Sequence, residues 1–146
     1  MFLISRFDRM RDHVEREGRG AIYFIVSPRL GTPLSYVLAD SMAELPSRVR
    51  GKGKYYIGVT QDPVWRFWGP EDFKHCHTWK TMFVLAVSTG SGIKFLETAM
   101  LANPRIGLGH FFCTNKGAGA EGVARNPDPE VPYFLYVVFG DRRVSR

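Results

Sequence analysis

Four runs of apolar and β-branched residues interrupt an otherwise mixed pattern and predict the strands of a small sheet. The runs are too short for buried helices, and glycine, proline or polar residues lie at their ends. They cover residues 21–26, 54–59, 81–88 and 133–139. Because the first two runs follow each other along the chain, we expect them to pair antiparallel as a wide hairpin.

Helical signals lie between these runs. Apolar residues at helical spacing predict a short amphipathic helix over 5–17, which ends at Gly18 and Gly20. Asp62-Pro63 predicts the start of a second short helix, because Asp caps free amides and Pro at the first helical position loses no needed hydrogen bond. Strands and helices both occur, and we expect a domain of the α+β class.

The length and composition fit one soluble globular domain. The 146 residues are 45% hydrophobic and 23% charged, which is enough for a core and argues against general disorder. We therefore expect a single domain over 1–146, with a long connection at 27–53 that holds one helical turn near 40–45. Cys76 and Cys113 form no disulfide framework, which predicts a reducing, intracellular setting.

The net charge of +6 favours an acidic partner such as nucleic acid. No apolar run approaches the length of a membrane span, so we expect no membrane partner.

Glu97 is the residue that most directly suggests chemistry. It lies in a helix predicted over 92–102, which Ser91 caps, and shares a face with three apolar residues: Ile93, Leu96 and Met100. A carboxylate on an apolar face needs a partner, because burying an uncompensated charge costs several kcal/mol. The partner is either a basic side chain in a salt bridge or a hard cation such as Mg²⁺.

Three other side chains suit phosphate chemistry, although each alone has an ordinary structural reading. Arg66 carries a planar, permanently charged fork that fits phosphate. Tyr23 and Tyr56 lie on strands that we expect to be neighbours, where aromatic residues commonly pack against helices. A phenol acts as a general base only where a nearby cation lowers its pKa or takes up its charge.

The order and spacing of these residues resemble the GIY-YIG nuclease domain. Ala21-Ile22-Tyr23 corresponds to the first motif of the family and Tyr56-Ile57-Gly58 to the second. Arg66 follows the second motif at the family's interval. Glu97 on a helix after the third strand and the late Asn115 complete the pattern. The resemblance covers a core of about 20–122, with the 27–53 insertion inside it and the strand at 133–139 as an addition.

This resemblance implies a small mixed or antiparallel sheet flanked by helices and an endonuclease that hydrolyses DNA phosphodiester bonds with one divalent ion, Mg²⁺ or Mn²⁺. It assigns to Tyr23 the activation of water and to Tyr56 the positioning of that water or of a phosphate. Arg66 would stabilise the pentacovalent phosphate, Glu97 would bind the metal, and Asn115 would orient groups of the site.

The chain departs from the family pattern in three places. The first motif begins with Ala21 rather than glycine, and the insertion separates the two tyrosine motifs. Pro70 stands where the family often has a histidine one turn after the arginine. His75 or His77 would then carry the proton in its place. A zinc site is a weaker use of these histidines, because their spacing is not that of structural zinc ligands.

Basic residues near the second strand are candidates for contacts with nucleic-acid phosphates. They are Arg48, Arg50, Lys52, Lys54 and, beside Asn115, Lys116. The alternative is a solvated loop, since runs of charge commonly face solvent. At the level of function, the alternatives to an endonuclease are an inactive nucleic-acid-binding module and a structural or protein-interaction domain. RNA in place of DNA also stays open.

Overall fold

The computed structural model describes residues 2–25, 34–49, 53–69, 74–88, 90–103, 105–107, 112–115 and 132–141. It contains four helices and four strands in these ranges. In chain order they are α1 (Phe2–Glu17), β1 (Ile22–Phe24), α2 (Leu34–Val49), β2 (Tyr55–Thr60), α3 (Pro63–Trp68), β3 (Trp79–Ser88), α4 (Gly90–Ala102) and β4 (Tyr133–Asp141). A single 3₁₀ turn at His75–His77 precedes β3.

The strands form one mixed sheet in the order β1-β3-β4-β2. β1 pairs parallel with β3, while β4 pairs antiparallel with both β3 and β2. The α+β class and a mixed sheet flanked by helices are therefore confirmed. The expected hairpin of β1 and β2 is wrong, because these strands lie at opposite edges of the sheet.

The C-terminal strand explains this order. β4 is buried along residues 133–139, and a strand covered on both faces belongs in the middle of a sheet. It lies between β3 and β2, so the additional C-terminal strand is a central strand of the sheet. β1 has three residues and forms one edge.

Helices cover both faces of the sheet. α2 and α4 pack on one face, which we call the α2/α4 face, and α1 and α3 pack on the other, the α1/α3 face. The core of the α2/α4 face includes Leu45, Ile57, Leu96 and Val137. The core of the α1/α3 face includes Val14, Phe67, Met82 and Tyr136.

α2 replaces most of the connection that was expected at 27–53. It runs for 16 residues, whereas one turn near 40–45 was predicted. Proline residues suggested a loop, yet Pro46 lies inside the helix, where it has no amide hydrogen to donate. The helix is favoured because four apolar residues recur at helical spacing and pack towards the core: Leu38, Met42, Leu45 and Val49.

The end of α1 is fixed by backbone geometry, as its glycines predicted. The chain turns through Arg19 at φ 55° and Gly20 at φ 78°, a conformation that glycine adopts without strain. The indole nitrogen of Trp68 donates to the Gly18 carbonyl over 2.8 Å. This hydrogen bond ties α3 to the end of α1.

The predicted start of α3 is confirmed. The Asp62 carboxylate accepts from the amide of Trp65 over 3.0 Å, and Pro63 occupies the first turn. The helix ends at Gly69, whose amide donates to the Trp65 carbonyl over 2.8 Å. Its six residues are thus held at both ends. α4 is also present and begins at Gly90, two residues before its predicted start.

Within the described part of the chain, no helix has both the length and the apolar character that crossing a membrane requires.

Replacement of the Asp62 cap tests what holds α3. Asp62→Ala should lower the free energy of unfolding by about 1 kcal/mol, because the first turn loses an acceptor for its amides. Asp62→Asn is the matched control, since Asn caps about as well as Asp. Urea denaturation of the three proteins measures the difference. Equal losses in both variants would mean that the charge of Asp62, and not its capping bond, stabilises the helix.

Candidate functional site

The centre of the candidate site is a tyrosine that lies over a glycine. Gly58 of β2 pairs directly with Tyr136 of β4. A Cβ atom at Gly58 would overlap the hydroxyl and ring of Tyr136 and would crowd the ring of Tyr56. The glycine of Tyr56-Ile57-Gly58 therefore leaves the space that the Tyr136 ring occupies.

The Tyr136 hydroxyl bridges two other elements. It lies 2.6 Å from Nε2 of His75 and 3.4 Å from Nε of Arg66. A guanidinium can only donate, so the hydroxyl oxygen accepts from Arg66 and its hydrogen is left for Nε2 of His75. This assignment places the proton of a neutral His75 on Nδ1. The result is a chain of hydrogen bonds from α3 through β4 to the 3₁₀ turn.

His75 is held neutral by its surroundings. Burial, followed by the charges of Arg66 and Lys74, lowers the pKa of His75 from 6.5 to about 3. Its ring also lies 5.4 Å from the ring of Tyr56, measured between centroids. His77 is exposed. Of the two histidines that the sequence left open, the structure places His75 in the cluster.

Tyr136 is neutral at neutral pH, whereas Arg66 is positively charged. Burial raises the pKa of Tyr136 above its ordinary range although Arg66 opposes the rise, so the phenol is neutral at neutral pH. Burial disfavours the charged form of Arg66, but Tyr136 and Tyr56 outweigh it and the pKa of Arg66 is raised. Tyr136 is 1% exposed, whereas Arg66 and Tyr56 are half-buried. A ligand would therefore meet Tyr56 and Arg66 first.

Lys74 adds a second cation beside His75. Its side chain is 1% exposed, and its ammonium lies 2.8 Å from the centroid of a Trp65 ring. A Cβ atom at Gly69 would overlap the lysine stem, so this glycine makes the path of Lys74 possible. An ammonium over an indole face is a favourable cation–π arrangement.

Glu97 lies on α4, which packs on the opposite face of the sheet from the cluster. Glu97 is 3% exposed. Ile93, Leu96 and Met100 on the same helix are fully buried, as the predicted apolar face requires. The negative charge of Glu97 contributes, after burial and Tyr56, to the raised pKa of Tyr136. The carboxylate and the Tyr136 phenol are therefore coupled electrostatically.

The donor set limits how a metal would bind. In the ranges described above, no three or more His, Cys, Asp or Glu side chains form a group that could hold an ion. Mg²⁺ commonly keeps several waters and is bound by one or two carboxylates together with phosphate oxygens of the substrate. Glu97 fits that mode of binding but not a site built entirely from protein ligands.

Tyr23 lies away from this cluster. It belongs to the edge strand β1, and its ring faces the ring of Phe83. Phe83 packs against the core of the α2/α4 face. Tyr56 belongs to the other edge strand and faces the α1/α3 side. The Tyr23 hydroxyl donates to the Gly20 carbonyl over 2.5 Å. The expectation that Tyr23 and Tyr56 lie on neighbouring strands is wrong, because β3 and β4 separate them.

Asn115 holds the strand that carries Tyr56. Its side-chain oxygen accepts from the amide of Ile57 over 2.9 Å, and its side-chain nitrogen donates to the Ile57 carbonyl over 2.7 Å. The preceding residues pair with Tyr55 in the same way, since Thr114 donates to its carbonyl over 2.9 Å. The amide of Asn115 thus acts like one more peptide unit along the edge of β2.

Few of the predicted phosphate contacts lie in the described residues. Lys54 is exposed immediately before β2. Arg50, Lys52, Lys116 and the side chain of Arg48 lie outside the described residues. Cys76 and Cys113 are both free thiols.

Sequence reasoning missed Tyr136 and Lys74. Tyr136 was included only as one residue of a predicted strand, yet it provides the second phenol beside Tyr56. A glycine within a strand signals the close approach of another group, so Gly58 was the available clue. No signal in the sequence identifies Tyr136 as that group, because the pairing of β2 with β4 spans most of the chain.

Comparisons with protein-family models, with curated proteins and with solved structures found no match to this chain.

The depressed pKa of His75 predicts a stability that falls in acid. Unfolded histidine binds a proton below about pH 6.5, whereas folded His75 does not until about pH 3. Acidification from about pH 7 to about pH 5 should therefore cost about 2 kcal/mol of stability through this residue.

Urea midpoints across this pH range, measured for the wild type, His75→Gln and His77→Gln, test the assignment. The first variant should lose most of the pH dependence, and the exposed His77 is the matched control. The same slope in all three proteins would remove His75 as its source.

Proposed function

We propose that the chain is a divalent-metal-dependent endonuclease that hydrolyses DNA phosphodiester bonds at the cluster of Tyr56, Arg66, His75 and Tyr136. The observation that carries the proposal is the hydrogen-bonded series from Arg66 through the Tyr136 hydroxyl to Nε2 of His75. It combines a fixed guanidinium, which is a phosphate ligand, with a neutral imidazole whose Nε2 accepts from the Tyr136 hydroxyl.

Charge supports an anionic ligand at this place. Arg66 and Lys74 put two cations beside a histidine that burial keeps neutral. In a partly buried site such charges act through a lower effective dielectric than in water, so a phosphate there gains more than at an open surface. The chain's net charge of +6 adds attraction at longer range.

Each residue has a role consistent with its exposure. Arg66 binds a phosphate oxygen and stabilises the charge that develops on it. Tyr56, half-buried beside it, positions the phosphate or the attacking water. Tyr136 is buried and acts through its neighbours by holding Arg66 and His75 in place. Burial and the neighbouring cations depress the pKa of His75, and a phosphate near Arg66 opposes the part that the cations contribute.

A divalent ion at Glu97, when bound, would supply Lewis-acid activation of water and of the phosphate. The carboxylate is suited to that ion because hard cations prefer oxygen ligands.

The proposed relationship to GIY-YIG nucleases rests on Tyr56, Arg66 and Glu97 in their expected order, with Asn115 bound to the second motif. In this chain Tyr136, and not Tyr23, is the second tyrosine beside Tyr56, because β4 and not β1 neighbours the strand of Tyr56. The strand order thus supports a similar arrangement of side chains, although the strands are connected differently along the chain.

One observation favours a second candidate, a nucleic-acid-binding module without catalysis. Glu97 has no cluster of further metal-ligating side chains around it within the described ranges. A module of this kind would keep the phosphate contact of Arg66 and would need no ion.

Replacement of Glu97 separates the two candidates. Glu97→Gln should reduce nicking of supercoiled plasmid in Mg²⁺ or Mn²⁺ by about a hundredfold or more, since it removes the proposed metal ligand. EDTA should abolish the wild-type reaction. Glu44→Gln on α2 is the matched control and should nick normally. Metal-independent binding with no nicking by the wild type would identify the non-catalytic module instead.

Removal of single hydroxyls tests which tyrosine serves the site. Tyr136→Phe should lower kcat about 10- to 100-fold with little change in KM, and should alter the pH profile of kcat, because Arg66 and His75 lose the group that holds them. Tyr23→Phe should leave both constants unchanged. The opposite result would restore the assignment of the base to Tyr23. Thermal unfolding of both variants checks that they remain folded.

A further inference from the structure

A groove of about 750 Å³ lies between α1 and α3 and is separate from the residues of the proposed active site. Its volume is within the usual range for sites that bind small organic groups. Its apolar lining comes from both helices and from one residue of the sheet: Met10, Val14, Val64, Trp65, Trp68 and Phe134.

Trp65 is the flat surface that this groove offers to a ligand. It is 49% exposed, although indoles are usually covered. The other indole, Trp68, already donates to Gly18 and has the Arg19 guanidinium 5.2 Å from its ring centroid. The Lys74 ammonium covers one face of the Trp65 ring, and the exposed part that lines the groove is the stacking platform. Base–aromatic stacking works with any base.

Trp65 also connects the groove with the active site. It precedes Arg66 on α3, and the ammonium of Lys74 lies over its ring. Consecutive residues point about 100° apart around a helix, so Trp65 and Arg66 offer their side chains to different parts of one nucleotide.

The polar residues that line the groove suit a base. Glu17 and Asp62 line it beside the cation of Arg19, and their carboxylates accept hydrogen bonds from the amino groups of bases. The residues that line the groove do not include Arg66 and Lys74, which lie near His75 in the proposed active site. This separation matches a nucleotide that places its base in the groove and its phosphate in the active site.

We propose that the groove between α1 and α3 binds an unpaired base of the strand whose phosphate Arg66 engages, with Trp65 stacked on that base. The inference rests on the proposed function, because it uses the same strand. It assigns to the protein a preference for a single-stranded or flipped-out nucleotide next to the cleaved bond.

Abasic substitution tests the proposal. A fluorescein-labelled single strand of about twelve nucleotides, with one base removed at each position in turn, is titrated with the wild-type protein in EDTA. One abasic position should weaken binding about tenfold. In Trp65→Leu the intact strand should bind about tenfold more weakly, and the abasic position should then have no further effect. Phe95→Leu, which alters an equally exposed aromatic on α4, is the matched control.

Two results would overturn the proposal. One is wild-type binding that no single abasic position weakens. The other is an abasic penalty that is the same in Trp65→Leu as in the wild type. Arg66→Gln separates failure of this proposal from failure of the proposed function. This variant should weaken the binding of intact and abasic strands equally. If it bound both strands as tightly as the wild type, the result would count against the phosphate site and not against the groove.

Discussion

The fit of Tyr136 over Gly58 is the contact on which the candidate site depends. Because Gly58 has no side chain, the ring of a residue on the next strand can lie across it and extend its hydroxyl beyond β2. That hydroxyl reaches one residue of α3 and one of the 3₁₀ turn, which no backbone hydrogen bond of the sheet connects. A single buried phenol thereby fixes the distance between a guanidinium and an imidazole.

The protonation state of the cluster follows from its burial. Burial, followed by the charges of Arg66 and Lys74, keeps His75 neutral. The Trp65 ring lies against the Lys74 ammonium, a cation–π contact that favours the buried charge. In the proposed function, a phosphate at Arg66 adds a negative charge beside these cations, as expected of a preorganised site.

Local signals in the sequence predicted local structure well. Asp62-Pro63 and the glycines after α1 act through neighbouring residues, so they could be interpreted without knowledge of the fold. Tyr56 and Arg66 were expected together because few residues separate β2 from α3. The assignment of Tyr23 depended on which strands are neighbours, and that depends on β4, the last strand in the chain. The pairing of distant strands is decided by the burial of whole faces, which local spacing does not encode.

α3 is the element that joins the two proposed sites. It has only six residues, but its ends are capped by Asp62 and Gly69, and Trp68 anchors it to the end of α1. A helix this short would not be stable alone, so its position is set by these contacts and by the burial of Phe67. Arg66 and Trp65 therefore keep a fixed separation. A strand that satisfies both must present a phosphate and an unstacked base at that separation, which regular duplex DNA does not do because its bases are stacked within the helix.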